Sequence, residues 1–265
     1  MRLNDKVILV TASTRGIGLA IAKACAREGG ILYMAARDMA RAQAEADKLH
    51  AEGCRVHCVY NDATQPETFT SMVEEVVRDA GRIDVLVNNF GTSNPGKDLD
   101  FAHTAAEVFL DTVTLNLRSV FMASQAAARH MASQGGGSII NISSVGGSVP
   151  DISQVAYGTS KAAINYLTKL IAVQEAKNHI RCNAVLPGMT ATEAVEKHLS
   201  DDFRALFLRH IPLSRIGLPE EIASAVVYFA SEESAYTTGQ ILSVSGGFGL
   251  ATPVYGDLAG KAQRR

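Results

Sequence analysis

Tyr157 and Lys161 stand one helical turn apart in YGTSK (157–161), ahead of the apolar, helix-like stretch AAINYLTKLIAV. Side chains at i and i+4 share a helix face, roughly 5–6 Å apart at Cβ. An ammonium that close favours a phenolate and lowers a pKa that is ordinarily about 10. A phenol tuned in this way passes a proton to or from an alcohol near neutral pH. By itself the pair is more often two surface side chains. Ser144 changes that balance: it ends NISS, just past an apolar run, where its hydroxyl can hold the same substrate oxygen. Asn116, in TLNLRSVF, is an amide in mid-helix, a place that disfavours it unless something uses it. Taken alone, Asn116 reads as a polar packing group.

These side chains need a frame. Apolar, β-branched runs at 6–12, 31–36, 55–61, 83–89, 138–143, 180–187 and 240–246 alternate with helical patterns. The helices are expected near 16–29, 38–52, 66–80, 105–134, 156–178 and 219–232. Most of the runs are solidly apolar, as strands covered on both faces are. The rhythm predicts an α/β fold, a doubly wound, seven-stranded parallel sheet with helices on both faces. Ligands then bind at the carboxyl ends of the strands. QGGGS (134–138) reads as a helix stop and turn, so residues 1–265 are expected to form one domain.

The first strand leads into TASTRGIG (11–18), with a helix opening near Gly16. Backbone N–H groups at such a helix start suit a pyrophosphate. Gly16 and Gly18 let the backbone approach the phosphates and the helix pack closely on the sheet. A glycine pair is a weak sign, strengthened here by its place between first strand and first helix. Ala12 stands where such a turn usually has its first glycine. It implies a turn that needs a small side chain but no positive φ.

Bulk properties exclude several classes. The 265 residues are 47% hydrophobic and 20% charged, with a net charge of −2. Both signs are interspersed, so neither a nucleic-acid footprint nor a polybasic membrane anchor is present. No apolar run approaches the ~18 residues needed to span a bilayer. MRLNDK leads directly into a strand-like run, leaving no room for a signal peptide. Cys25, Cys54, Cys58 and Cys182 form no C-x-x-C pair and no zinc-like cluster with histidine, so no metal is expected. They read as reduced thiols, and the expected compartment is the cytoplasm.

Together the motifs resemble the short-chain dehydrogenase/reductase family along nearly the whole chain. TASTRGIG is similar to its nucleotide turn, with Thr11-Ala12 for the usual Thr-Gly, and NNFG (88–91) to its Asn-Asn-Ala-Gly, with Phe90 in the alanine position. PGMTAT (187–192) resembles the segment that closes over the nicotinamide. The resemblance implies a Rossmann-like fold and a catalytic set of Asn116, Ser144, Tyr157 and Lys161. Tyr157 would take the alcohol proton and Ser144 would hold the substrate oxygen. Lys161 would lower the Tyr157 pKa and bond the nicotinamide ribose, and Asn116 would help hold a water joining Lys161 to solvent. Cofactor contacts are implied for Ser13, Thr14, Arg15, Ile17, Arg37, Asp62, Asn88, Tyr157, Lys161, Thr190 and Thr192, with Asp62 on the adenine.

The position where an acid would mark NAD binding is Ala36, and Arg37 follows it. Asp38 fits better as the N-cap of DMARAQAEADKL, and Arg15 faces the same ribose from the turn. Two guanidiniums suit a 2′-phosphate carrying roughly −1.5 to −2 charge, so NADP(H) is the expected cofactor.

NNFGTSNP, VPDISQVAYGTSKAAINYLTK, IRCNAVLPGMTAT and SGGFGLATP resemble the branch acting on bile acids. That implies reversible oxidation of the 7α-hydroxyl of cholate or chenodeoxycholate, and a homotetramer. The alternatives are a reductase of another carbonyl, such as a 3-oxoacyl thioester, and a non-catalytic dinucleotide sensor. Residues 189–210 form the expected substrate wall, where Met189, Phe203, Leu206 and Phe207 either cover a flat sterol or serve as ordinary amphipathic core. The tail, residues 250–265, reads as a frayed end; Lys261, Arg264 and Arg265 are its candidates for the bile-acid carboxylate.

Overall fold

The computed structural model describes residues 1–198, 200–252 and 254–262. Seven parallel strands run β1 (Val7–Thr11), β2 (Ile31–Ala36), β3 (Arg55–Tyr60), β4 (Val85–Asn88), β5 (Gly137–Ile142), β6 (Ile180–Pro187) and β7 (Ile241–Val244). Their order in the sheet is β3-β2-β1-β4-β5-β6-β7. The chain leaves β1 in one direction for β2 and β3 and returns to the other side for β4. That reversal opens a crevice between β1 and β4 at the carboxyl edge.

Helices cover both faces. α1 (Gly16–Arg27), α2 (Met39–Ala51) and α8 (Pro219–Ala230) pack on one face, against Ile8, Val10, Leu32 and Val185. α3 (Thr68–Ala80), α4 (Ala106–Ser133) and α5 (Val155–Gln174) pack on the other, against Val7, Leu9, Leu86 and Ile139. Adjacent residues of β1 therefore feed opposite cores, which is why the whole strand is apolar. The two edge strands depart from that pattern. β3 leaves Arg55, His57 and Tyr60 exposed, and β7 leaves Leu242 and Ser243 open. Each has a neighbour on one side only, so full cover is not imposed on it.

Three further helices were not distinguished in the sequence: α6 (Glu193–His198), α7 (Asp201–Leu208) and α9 (Tyr255–Ala262). All three belong to the region beyond the carboxyl edge of β6 and β7.

Candidate active site

β1 ends at Thr11, and the chain turns through Ala12 to Arg15 before α1 begins. Ala12 has φ +50°, which overturns the expectation that an alanine here signals a turn without positive φ. The left-handed conformation costs a residue with a Cβ about 1–2 kcal/mol. Neighbours hold it there: the Asn89 amide donates to the carbonyls of Thr11 and Ala12, both at 3.1 Å. Thr11 Oγ1 in turn accepts from the backbone of Asn89 and Phe90 at 2.9 and 3.0 Å. Gly18 is required by the same contact. A Cβ on it would lie 2.3 Å from the Ala12 oxygen and 2.5 Å from Asn89 Nδ2.

Arg15 is the extended N-cap of α1, with no side-chain capping bond, and the first turn carries no acid. The opening amides of α1 are thus free of any internal anion, the donor set a pyrophosphate requires. Ser13 is buried, its hydroxyl and amide both directed at the Ala35 oxygen at 3.4 Å. Thr192 lies over the turn, its Cγ2 3.4 Å from where a Gly16 Cβ would stand. Thr190 is buried, with its hydroxyl on the Gly188 oxygen at 3.0 Å.

At the end of β2, Ala36 is buried while Arg37 and Asp38 are exposed. Asp38 caps α2 as expected, accepting from Arg41 N at 3.0 Å. Asp62 accepts from the Thr64 amide and hydroxyl, both at 2.9 Å. Those bonds, with the positive charge of Arg37, hold its carboxyl below the usual range.

The four expected catalytic residues come from three elements. Ser144 follows β5, and its hydroxyl accepts from Gly146 N at 3.2 Å, fixing a short 3-10 turn. Tyr157 and Lys161 lie on the first turns of α5. The Lys161 amine is buried, donates to the Ile142 oxygen at 3.0 Å and sits 5.6 Å from the Tyr157 ring centre. Asn116 on α4 is fully buried. Ile17, Ser144, Tyr157, Lys161, Met189, Thr190, Thr192 and Phe207 share a cavity of about 380 Å³. A second hollow of about 430 Å³ lies between α2 and α3 at Tyr33, His57 and Asp79. None of the four catalytic candidates lines it, and Tyr33 and Asp79 bond each other.

The family model described as enoyl-(acyl carrier protein) reductase matches residues 11–249. The chain belongs to the short-chain dehydrogenase/reductase family. A 7α-hydroxysteroid dehydrogenase of Clostridium sardiniense is 48% identical over 256 residues, 97% of this chain and 98% of its relative. One from Paraclostridium sordellii is 48% identical over 260 residues, 98% and 97% of the two chains. A solved structure of a 7α-hydroxysteroid dehydrogenase complexed with NADH and 7-oxo glycochenodeoxycholic acid superposes with TM-score 0.88 at 30% identity, covering 93% of this chain and 95% of that one.

The electrostatics of the Tyr157–Lys161 pair differ from expectation. Burial pushes the Tyr157 phenol above its ordinary value, with a hydrogen bond from Ser144 pulling the other way. The same burial draws the Lys161 amine down to about 8. Helical spacing brought the two groups together as predicted. What it omitted is that burial disfavours both charged forms, so the lysine does not by itself yield a low phenol pKa.

Two of the expected site side chains are engaged within the protein. The Asn116 side chain is committed to protein: its oxygen accepts from Thr92 N at 2.8 Å, and its nitrogen donates to the Thr92 oxygen at 2.9 Å and Ser160 Oγ at 3.0 Å. That side chain clamps the loop at Thr92 to α4 and α5. Asn88 is also turned inward, donating to Ser124 Oγ and Asn141 Oδ1 at 2.9 and 2.8 Å. Its neighbour Asn89 lines the cavity. The two strand-end asparagines face opposite sides, and the motif alone does not say which one meets a ligand.

Phe90 packs toward α3, its ring 6.1 Å from Phe69. The fold thus accommodates it against a helix. Phe207 stacks on Phe248 at 4.8 Å and neighbours Phe203 at 6.0 Å. α7 has no buried residue, and Phe203 and Leu206 are half-exposed, so this wall is not ordinary helix core. Phe248 went unnoticed in the sequence because it comes from the loop after β7. The tail is not frayed over α9: Asp257 pairs with Arg209 at 2.8 Å, and Gly256 packs against Arg209 and His210. Arg264 and Arg265 lie outside the described residues, as does the side chain of Lys261.

Proposed function

We propose that this chain is an NADP(H)-dependent oxidoreductase that interconverts the 7α-hydroxyl of bile acids, such as cholate and chenodeoxycholate, with the 7-oxo group. The observation that carries the reading is the 48% identity, over nearly the full length of both chains, to 7α-hydroxysteroid dehydrogenases. Phe207, which lines the cavity with Tyr157 and is backed by the stacked ring of Phe248, supports a flat, apolar substrate.

Ser144 holds the substrate oxygen, and the Tyr157 phenolate takes its proton as the alcohol is oxidised; in reduction the phenol returns it. A bound nicotinamide dinucleotide supplies the two-electron step, accepting hydride from C7 or giving it back. Ser13, Thr14, Arg15 and Ile17 would hold its phosphates and ribose at the opening of α1, with Arg37 on a 2′-phosphate and Asp62 on the adenine. Lys161, Thr190 and Thr192 would hold the nicotinamide end. Lys161 also gives the developing phenolate a nearby cation.

The chain is proposed to assemble as a homotetramer. Phe121 on α4 and Tyr166 and Val173 on α5 are exposed, as are Leu242 on β7 and Tyr236 before it. Exposed apolar side chains on the α4–α5 side and at β7 would suit the two kinds of contact a tetramer requires. Four free thiols fit a cytoplasmic setting.

The test is an absorbance assay of purified protein with NADP+ and chenodeoxycholate, against its 7β epimer ursodeoxycholate. Turnover of the α epimer alone is expected; preferential turnover of the β epimer overturns the reading. Reduction of an acetoacetyl thioester with NADPH, with no bile-acid turnover, would favour the thioester alternative.

A further inference from the structure

The opening of α5 has no cap of its own. Its N-cap, Gln154, is left-handed with φ +60° and makes no side-chain bond. Four backbone donors are therefore left without intrahelical partners. All four are taken by two residues of a distant loop. Gln154 N donates to the Asp98 oxygen at 3.2 Å and Val155 N to the Leu99 oxygen at 3.3 Å. Ala156 N donates to Asp98 Oδ1 and Tyr157 N to Asp98 Oδ2, both at 2.9 Å. Only at Gly158, bonded back to the Gln154 oxygen at 2.9 Å, does the helix supply its own partner.

We propose that Asp98 is a positioning residue for the proton transfer, fixing Tyr157 by gripping the start of α5 from outside the helix. The inference rests on the reading of Tyr157 as the proton-transfer group. Asp98 is fully buried, a costly place for a carboxylate unless its oxygens are satisfied. Both oxygens accept from consecutive amides at the positive end of a helix, which sets the plane of the carboxylate against the backbone of 156–157.

A cap that served stability alone could be local, a serine or aspartate at position 154. Here a buried charge is brought from 59 residues away onto the amide of the reacting residue itself. The Tyr157 carbonyl is held as well, by Ser160 Oγ at 2.7 Å, which in turn accepts from Asn116 at 3.0 Å. Asn116 also clamps Thr92, at the head of the loop that ends in Asp98. The loop and α4 thus brace both backbone groups of residue 157.

Asp98→Asn keeps the shape but leaves one oxygen for two amides, the other position presenting N–H to N–H. NADPH binding, followed by fluorescence titration, should stay within about two-fold of wild type, since the turn at residues 11–18 is untouched. Turnover of chenodeoxycholate, normalised to the sites that bind NADPH, should fall about 10- to 100-fold with KM little changed. A normalised kcat within about two-fold of wild type overturns the proposal. Hydrogen exchange on the wild-type chain covers the case in which the variant does not fold. The amides of 154–157 should exchange as slowly as those of mid-α5, and exchange as fast as an open loop overturns the proposal. A wild type inactive on every 7α-hydroxyl substrate would sink the functional reading, whereas Asp98 is still judged by that exchange measurement.

Discussion

The Lys161 amine donates to the Ile142 carbonyl at 3.0 Å and stands 5.6 Å from the centre of the Tyr157 ring, so amine and phenol line one pocket. The consequence is measurable as stability. The unfolded chain keeps a proton on this amine up to its ordinary 10.5, the folded chain only up to about 8. Between those values the unfolded state binds more protons, so the stability of the cofactor-free protein rises with pH through that window. Lys161→Met removes the dependence. Its stability relative to wild type should fall by on the order of 3 kcal/mol between pH 7 and pH 10.5. Urea denaturation at both pH values measures it; a constant difference would refute the claim.

Tyr157 should ionise above its ordinary 10 in the cofactor-free protein, because burial outweighs the Ser144 bond. The tyrosinate absorbance of wild type minus that of Tyr157→Phe isolates this group. Ser144→Ala should move the midpoint higher still, and a midpoint below 10 in wild type would contradict the assignment. Tyr157→Phe itself should lower turnover by roughly 10²–10⁴-fold with dinucleotide binding retained, the range for loss of an acid–base group.

The proposed cofactor preference rests on the end of β2. Arg37 is exposed there and near enough to Asp62 to depress its carboxyl, while no acid occupies position 36. Arg37→Ala should weaken NADP binding selectively, by on the order of 1–3 kcal/mol for lost bonds to a charged group. Ala36→Asp should repel the phosphate and shift preference toward NAD. Values of kcat/KM with both cofactors decide it, and equal use of the two by wild type would count against the reading.

Ala12 offers a test of strain. At φ +50° it sits where glycine is at ease, so Ala12→Gly should relieve up to about 1 kcal/mol after the entropy glycine returns to the unfolded chain. Thermal unfolding of the two proteins shows the sign. A clear loss of stability would mean that the methyl group packs better than its backbone suffers.

Much of this architecture was legible in residue order alone. Seven apolar runs alternating with helical patterns gave every strand of the sheet within a residue or two, because a strand buried on both faces must be apolar throughout. Helical spacing placed Tyr157 beside Lys161, and Asp38 capped α2 as its position suggested. These are local relations, carried by period and by adjacent residues.

What escaped the sequence depended on which distant groups meet, and on how much water is left between them. Ala12 could not be assigned positive φ, since Asn89, which holds it there, lies 77 residues away. The direction of the Tyr157 shift follows from burial, a property of the folded pocket that no spacing encodes. Asn88 and Asn89 are neighbours in sequence, yet the twofold alternation of a strand end sends one into the core and the other to the cavity. Asp98 carried no local sign beyond the poor cap at Gln154. Chain order determined the sheet and the helix that bears Tyr157 and Lys161; the tertiary structure alone decided what surrounds that pair, because desolvation and capping across loops arise only when remote segments are packed together.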